Sequence, residues 1–215
     1  MTYDSRSGSS GPMFGNEGFP PSSALVQVEF GAGSHPGVLQ ATNDDHYLIA
    51  RIGRYLEPIM TSLPEGAAPR RFDESGYGMV VADGMGGVGS ERASRLAIAT
   101  LTHVALQWGK WNVRVDDETA WVIAEQAERF YRQVDEAVSA AARSDPGFEG
   151  MGTTLTCTYS GGDELFVVHV GHSRAYVYRA GHLTKLTRDQ TLAHGCSNPA
   201  APHPPNSPHG TCGTS

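Results

Sequence analysis

The 215-residue sequence has no cluster of lysines and arginines and only 3 cysteines, and both shortages exclude classes of function. With a formal net charge of -7, it is not expected to bind nucleic acid or an anionic membrane through a basic surface. The cysteines have no C-x-x-C spacing, which argues against a disulfide framework and a zinc knuckle. No apolar run reaches the roughly 18 residues of a membrane span, and the N-terminus has no apolar signal-peptide core. A soluble, cytoplasmic protein is therefore predicted.

Composition divides the chain into three parts. Residues 1–23 are rich in Gly, Ser and Pro, and residues 194–215 in Pro, His, Gly and Ser. Neither stretch has enough large apolar side chains to offset the entropy lost on ordering, so both are predicted to be disordered tails. Residues 24–193 have the periodic apolar patterns of a folded domain.

Within that domain, the order of predicted elements indicates the fold class. Alternating apolar residues predict strands in "ALVQVEF", "HYLIARIG" and "GYGMVVAD", the last with apolar residues on both faces and therefore central. Two helices follow, the first from Ser90, which is placed to cap it, and the second from Glu118 to about Arg143. Their predicted buried stripes are Ala93, Ala97, Leu101, Val104 and Trp108, then Trp121, Ala124, Ala127, Tyr131, Val134, Val138 and Ala141. Four more strand-like runs from Gly152 predict an antiparallel meander, and the whole order favours an α+β fold with helices packed on antiparallel sheet.

The loop "VVADGMGGVGS" carries the pattern G-x-G-x-x-G at Gly84, Gly86 and Gly89. It is not a P-loop, because Ser90 stands where that motif requires lysine. A dinucleotide site is also disfavoured. Asp83 would repel the phosphates, and the acidic residue Asp116 lies too far along the chain, with no convincing strand before it.

Three aspartates suggest a metal site instead. Asp44 and Asp45 stand at the start of one predicted strand and Asp83 at the end of another, so antiparallel pairing of these strands would bring the carboxylates together. Converging carboxylates repel one another unless a cation neutralises them, and oxygen-only ligands favour Mg²⁺ or Mn²⁺. Gly84, with no Cβ, would let the chain turn past the ion and offer a carbonyl. The alternative is an acidic loop that is merely exposed to water.

Four sequence blocks in order resemble the metal-dependent Ser/Thr protein phosphatases of the PPM, or PP2C-like, class in their bacterial form. The blocks are "TNDDHY", "VVADGMGGVGSERAS", "GMGTTLT" and "VGHSRAYVYRAGHLTKLTRDQT". The resemblance implies an α-β-β-α sandwich of two antiparallel sheets flanked by helices, here incomplete at the C-terminus, so that residues 24–193 would be a partial phosphatase domain. It also implies hydrolysis of phosphoserine and phosphothreonine by a hydroxide bridging two Mn²⁺ or Mg²⁺ ions.

The resemblance assigns site residues and partners. Asp83 would bridge both metals and Asp45 would bind one, which makes these two the catalytic residues; Gly84 would bind through its carbonyl and Asp44 mainly through metal-bound water. His172 occupies the position of a weak, third-metal ligand. The implied partners are phosphoserine and phosphothreonine proteins, together with a bacterial Ser/Thr kinase and its substrates, with no nucleic acid and no membrane.

The chain departs from the family pattern in four places, one of which is Gln190 in place of a frequent histidine. Gln40 replaces an arginine that grips the substrate phosphate, and His172 replaces an aspartate, which should weaken binding of a third metal. The later S-D-G and D-N blocks, which supply two more metal-binding aspartates, are not in the sequence, and a reading-frame shift or premature end is the hypothesis for their absence. Weak binding of a single ion is therefore expected. The alternative function is a catalytically inactive module that binds phosphoproteins or a kinase.

Overall fold

The computed structural model describes residues 28–38, 42–109, 117–161 and 164–190. Its main sheet contains β1 (Asp45–Leu56), β2 (Phe72–Met85), β3 (Gly152–Thr153), β4 (Leu155–Gly161) and β5 (Glu164–Val170). The strand order is β1-β2-β4-β5, all antiparallel, with β3 paired to the end of β2. A separate two-stranded sheet contains β6 (Tyr176–Arg179) and β7 (His182–Lys185). The two helices are α1 (Ser90–Trp108) and α2 (Asp117–Ser144), and a 3-10 turn at Pro146–Phe148 follows α2.

The predicted α+β class is confirmed. Both helices pack on one face of the main sheet, where small buried residues of α1 allow close approach to β2. Val134 and Val138 of α2 join the same core, and the Tyr131 hydroxyl donates to the carbonyls of Leu155 and Val168. The predicted central position of "GYGMVVAD" is also confirmed, because β2 lies between β1 and β4.

Two predictions about strands were wrong in part. Leu25 and Val26 lie outside the described residues, but Val28 and Phe30 are not in a strand; Phe30 instead packs its ring 5.1 Å from that of Tyr77. The meander is divided, because the chain leaves β5 through Gly171 in a left-handed conformation (φ 99°) and residues 172–175 form no ladder. The strands β6 and β7 then pair only with each other within the described residues.

Two predictions about the helices also need correction. Ser90 is not the N-cap residue of α1: that residue is Gly89, which has no side chain with which to cap the helix. Trp121 is not part of the buried stripe of α2, since 77% of it is exposed, and Ala124 is exposed as well. At 100° per residue, Trp121 lies roughly 120° around the helix from Ala127, so the two cannot share one face.

The predicted tails, residues 1–23 and 194–215, and the residue Gln40 lie outside the described residues, and the domain boundaries stay predictions. Neither helix in the described ranges has the length and apolar character needed to cross a bilayer. The cytoplasmic location likewise stays a prediction.

Candidate metal centre

Three of the predicted site aspartates lie at one end of the main sheet. The antiparallel register of β1 and β2 places Asp45 directly opposite Asp83, as the sequence predicts. Asp44, Asp45, Asp83 and Gly84 line the same cleft, which has a volume of about 380 Å³. The predicted convergence of these residues on one cleft is therefore confirmed, and their roles as metal ligands stay predictions.

The electrostatics of the cleft are those of crowded negative charge. Partial burial raises the pKa of Asp45, and the carboxylate of Asp83 raises it further by charge repulsion and by a hydrogen bond to the protonated form. Asp44 acts in the same direction, whereas the neighbouring His46 lowers the pKa. Two carboxyls that share a site in this way are stabilised by a cation between them.

The main chain at Gly84 is held against Asp44, the residue that precedes β1. The N–H of Gly84 donates to the carbonyl of Asp44 at 3.1 Å, and a Cβ on Gly84 would collide with the carbonyl of Ser90. Gly84 thus lies closer to the start of α1 than a residue with a Cβ could, whereas its predicted approach to a metal ion stays a prediction.

Asp83 is fixed from the other side by the segment before β4. Its carbonyl accepts from the N–H of Thr154 at 2.9 Å and from the Thr153 hydroxyl at 3.0 Å, and its N–H donates to the Thr154 hydroxyl at 3.1 Å. The Thr154 hydroxyl also lies 2.6 Å from that of Ser173, and Thr154 is fully buried. The backbone of Asp83 is thus held by both its donor and its acceptor.

His172 is not brought into the cleft. It is exposed in the turn after β5 and is not among the residues that line the cleft. Its neighbour Ser173 nevertheless bonds to Thr154, so this turn is anchored to the site through the backbone of Asp83. Its role at a third metal stays a prediction.

Sequence reasoning missed the hydroxyls around the site. Ser90 donates to Asp44 Oδ2 at 2.6 Å, and Ser94 donates to the Asp44 carbonyl at 2.6 Å. Periodicity marks the apolar stripe of a helix but not the partner of a buried serine. The available signal was the presence of two serines, four positions apart, at the start of α1, which places them on one helix face.

Side-chain geometry limits what the site can bind. Within the ranges described, no three His, Cys, Asp or Glu side chains are grouped so as to hold a metal ion. The Asp44 carboxylate is turned toward Ser90, which leaves Asp45 and Asp83 as the facing pair. The arrangement therefore offers two adjacent carboxylates, with a third held to one side.

Comparison with known proteins identifies the family. The family model described as "Protein phosphatase 2C" matches residues 70–197. The serine/threonine protein phosphatase PstP of Mycobacterium tuberculosis is 39% identical over 115 residues, which are 53% of this chain and 20% of PstP. The serine/threonine phosphatase stp of Listeria monocytogenes is 31% identical over 121 residues, 54% of this chain and 44% of stp. The chain thus spans less than half the length of these relatives.

One solved structure supports the fold. The serine/threonine phosphatase of S. agalactiae superposes with a TM-score of 0.51 at 23% identity, over 76% of this chain and 57% of that one. The catalytic domain of PstP in complex with 2 manganese ions matches with a TM-score of 0.46 at 28% identity, over 71% of this chain and 60% of that one. Since the family model covers more than half of the sequence, the chain belongs to the protein phosphatase 2C family.

Proposed function

We propose that this chain is a metal-dependent protein serine/threonine phosphatase, which hydrolyses phosphoserine and phosphothreonine at the cleft lined by Asp44, Asp45 and Asp83. The observation that carries the proposal is the register that sets Asp45 opposite Asp83 beside Gly84. The relatives PstP and stp are named serine/threonine phosphatases, and the catalytic domain of PstP has been crystallised with two manganese ions.

The residues present fit a hard divalent cation. The donors are carboxylate and carbonyl oxygens, which Mn²⁺ and Mg²⁺ accept, and the mutual repulsion that raises the pKa of Asp45 would be relieved by an ion between it and Asp83. Asp45, Asp83 and the Gly84 carbonyl would hold the ion. Asp44, whose carboxylate is turned toward Ser90, would add negative charge beside them. When bound, such ions supply neutralisation of phosphate charge and activation of a water for attack on phosphorus.

The chain's own residues contribute position and charge. The backbone contacts of Asp83 to Thr153 and Thr154 fix this carboxylate relative to β4. The contact between Gly84 and Asp44 fixes the distance between the two aspartate-bearing strands.

Because the net charge is -7, a phosphoprotein would be attracted to this cleft only once cations are bound there. Gln40 lacks the charged, two-pronged contact of an arginine, so weak phosphate binding is expected.

A second candidate is a binding module without catalysis. It is favoured by the absence, among the residues described, of any group of three metal-binding side chains. Such a module would bind a phosphoprotein or a Ser/Thr kinase through the same cleft without turnover.

A phosphatase assay distinguishes the two candidates. Release of phosphate from a phosphothreonine peptide is measured with added Mn²⁺ for the unaltered chain, for Asp83→Asn, and for the control Asp135→Asn on the exposed face of α2. If the chain is an enzyme, Asp83→Asn lowers the rate by about 100-fold or more, because several kcal/mol of charge stabilisation are lost. The control keeps the full rate. Equal rates for the chain and Asp83→Asn would contradict the enzymatic proposal and leave the binding module.

A further inference from the structure

Two buried serines of α1 contact Asp44 from different directions. The Ser90 hydroxyl lies 2.6 Å from Asp44 Oδ2, and the Ser94 hydroxyl lies 2.6 Å from the Asp44 carbonyl. Ser90 is 6% exposed and Ser94 is fully buried. The first two turns of α1 therefore hold both the side chain and the main chain of one residue.

The single proton of the Ser90 hydroxyl has two acceptors within reach. One is the Asp44 carboxylate, and the other is the Gly87 carbonyl at 2.7 Å. The Gly87 carbonyl already accepts from the Ser90 N–H at 3.2 Å. Because a carboxylate is the stronger acceptor, the hydroxyl proton is assigned to Asp44.

The Ser94 hydroxyl is assigned in the same way. It lies 2.6 Å from the Asp44 carbonyl and 3.0 Å from the Glu91 carbonyl of its own helix, so the shorter bond goes to Asp44. His46 Nδ1 lies 2.9 Å from the same hydroxyl and can then act as its donor. The Asp44 carbonyl thus accepts from Ser94 and from the N–H of Gly84, which uses both of its lone pairs.

These contacts are not explained by the needs of the helix. Helix α1 is capped by Gly89 without any side-chain bond, so the Ser90 hydroxyl is not used as a cap. An aspartate at the edge of a cleft can be hydrated by water, so its own stability does not require the Ser90 hydroxyl either. What the contact does is select one orientation of the carboxylate.

We propose that Ser90 and Ser94 are positioning residues for Asp44 and that they set how this carboxylate is presented to a cation in the cleft. The inference rests on the proposed function. Ser90 engages Oδ2, which leaves Oδ1 with only a 3.3 Å contact to the exposed Thr42 hydroxyl among the described residues. Asp44 then offers a single oxygen, whereas an unrestrained aspartate could turn away or offer two. Ser94 holds the main chain from which both Asp44 and Asp45 project.

The first test measures Mn²⁺ binding by the full chain through the electron paramagnetic resonance signal of free Mn²⁺. The variants are Ser90→Ala, Ser94→Ala and the control Thr102→Val, whose hydroxyl donates to the Ile98 carbonyl within α1 and does not contact Asp44. Loss of a partner that orients a metal-binding carboxylate weakens metal affinity by about tenfold or more. We expect such a loss for Ser90→Ala and Ser94→Ala, and no change for Thr102→Val. Equal affinity of the chain and Ser90→Ala would overturn the proposal.

The second test needs no metal. Three-bond NMR couplings report the χ1 rotamer of Asp44 in the metal-free chain and in Ser90→Ala. We expect one rotamer in the chain and averaging among rotamers in the variant, because the Ser90 contact is the shorter of the two side-chain contacts that the described residues make to this carboxylate. A single, unchanged rotamer in Ser90→Ala would overturn the positioning role. If the chain itself bound no Mn²⁺, the proposed function would fail, and the couplings alone would then decide the role of Ser90.

Discussion

The two ends of the main sheet are packed in different ways beneath the same pair of helices. Near the cleft, Ala82, Ala93, Ala97 and Thr154 are fully buried, and Leu155 is 2% exposed. At the far end, the helices and the sheet form a partly open pocket of about 410 Å³ whose lining is mostly apolar and includes Leu48, Ile52, Val80, Leu106, Phe130 and Phe166. The close packing lies where the carboxylates must be held in register, and the looser packing lies where no site residue depends on it.

The polar contacts follow the same division. At the cleft end, the buried hydroxyls of Ser90, Ser94 and Thr154 all bond to the backbone or side chain of a site aspartate. Farther along β4, the buried hydroxyl of Thr158 has no hydrogen-bond partner among the described residues. Asp44 and Asp83 are therefore held by hydrogen bonds from buried hydroxyls as well as by the apolar contacts around them.

The strongest test of this contrast places the same larger side chain at two positions of α1, one in the closely packed region and one beside the pocket. We expect Ala97→Leu to lower the free energy of unfolding by about 1 to 3 kcal/mol, because Ala97 is fully buried and the added atoms have no space. We expect Ala105→Leu, which extends into the pocket at the far end, to be neutral or to stabilise by about 0.5 to 1 kcal/mol. Urea unfolding measures both. A comparable loss in the two variants would show that the far end is as tightly packed as the cleft end.

A pair of isosteric changes tests the polar half of the contrast. Thr154→Val leaves the buried N–H of Asp83 without its hydroxyl partner, and we expect it to destabilise by about 1 to 3 kcal/mol. Thr158→Val removes a hydroxyl that makes no bond in the described structure, and we expect no loss or a slight gain. Both are read from urea midpoints. If Thr158→Val cost as much as Thr154→Val, the two ends would not differ in how their polar groups are satisfied.

The features predictable from sequence are those fixed by periodicity and pairing. The alternation in "HYLIARIG" and "GYGMVVAD" predicts β1 and β2. If these strands pair antiparallel, the carboxylates of Asp44, Asp45 and Asp83 are predicted to converge, and the structure adds the register that sets Asp45 opposite Asp83. The stripe of α1 predicts its buried face, where Ala93, Ala97, Leu101 and Val104 are all buried. These results follow because the repeat of 2 or 3.6 residues is a property of the chain itself.

The features that escaped prediction depend on tertiary context. The spacing of three residues from Trp121 to Ala124 and Ala127 predicts one stripe, yet each such step falls short of a full turn, so the position of Trp121 drifts around α2 and its side chain is exposed. The separation of β6 from β5 depends on the left-handed turn at Gly171, which strand propensity does not record. The role of Ser90 depends on Asp44, 46 positions earlier in the chain, and no local pattern reports a contact of that range.

The smallest expected effect concerns the β6–β7 hairpin, which joins the cleft end through the turn containing Ser173. Arg174 in this turn pairs with Asp189 at 2.6 Å, and Lys185 pairs with the same carboxylate at 3.3 Å. The hydrogen bond from Arg174, followed by that from Lys185, holds the pKa of Asp189 below its usual value, against the opposing effect of burial. A carboxyl whose pKa is lower in the folded than in the unfolded state stabilises the fold. The stabilisation is fully present above the unfolded pKa of about 3.9, and it is lost as the pH falls through the lower pKa of the folded state.

Urea unfolding of Asp189→Asn at pH 7 and pH 3 tests whether this pairing ties the hairpin to the cleft end. We expect a lower midpoint than that of the unaltered chain at pH 7 and a smaller difference at pH 3, because protonation of the unfolded chain has by then removed part of the benefit. The matched control is Glu65→Gln, which breaks the exposed pair with Arg70 in the loop before β2, where both side chains are about nine-tenths exposed. Such a pair contributes little, so the control should match the chain at pH 7. Two results would contradict this expectation: a midpoint difference between Asp189→Asn and the chain that grows toward pH 3, or a loss for Glu65→Gln at pH 7 as large as that for Asp189→Asn. Either would show that Asp189 stabilises the fold no more than an exposed surface carboxylate does.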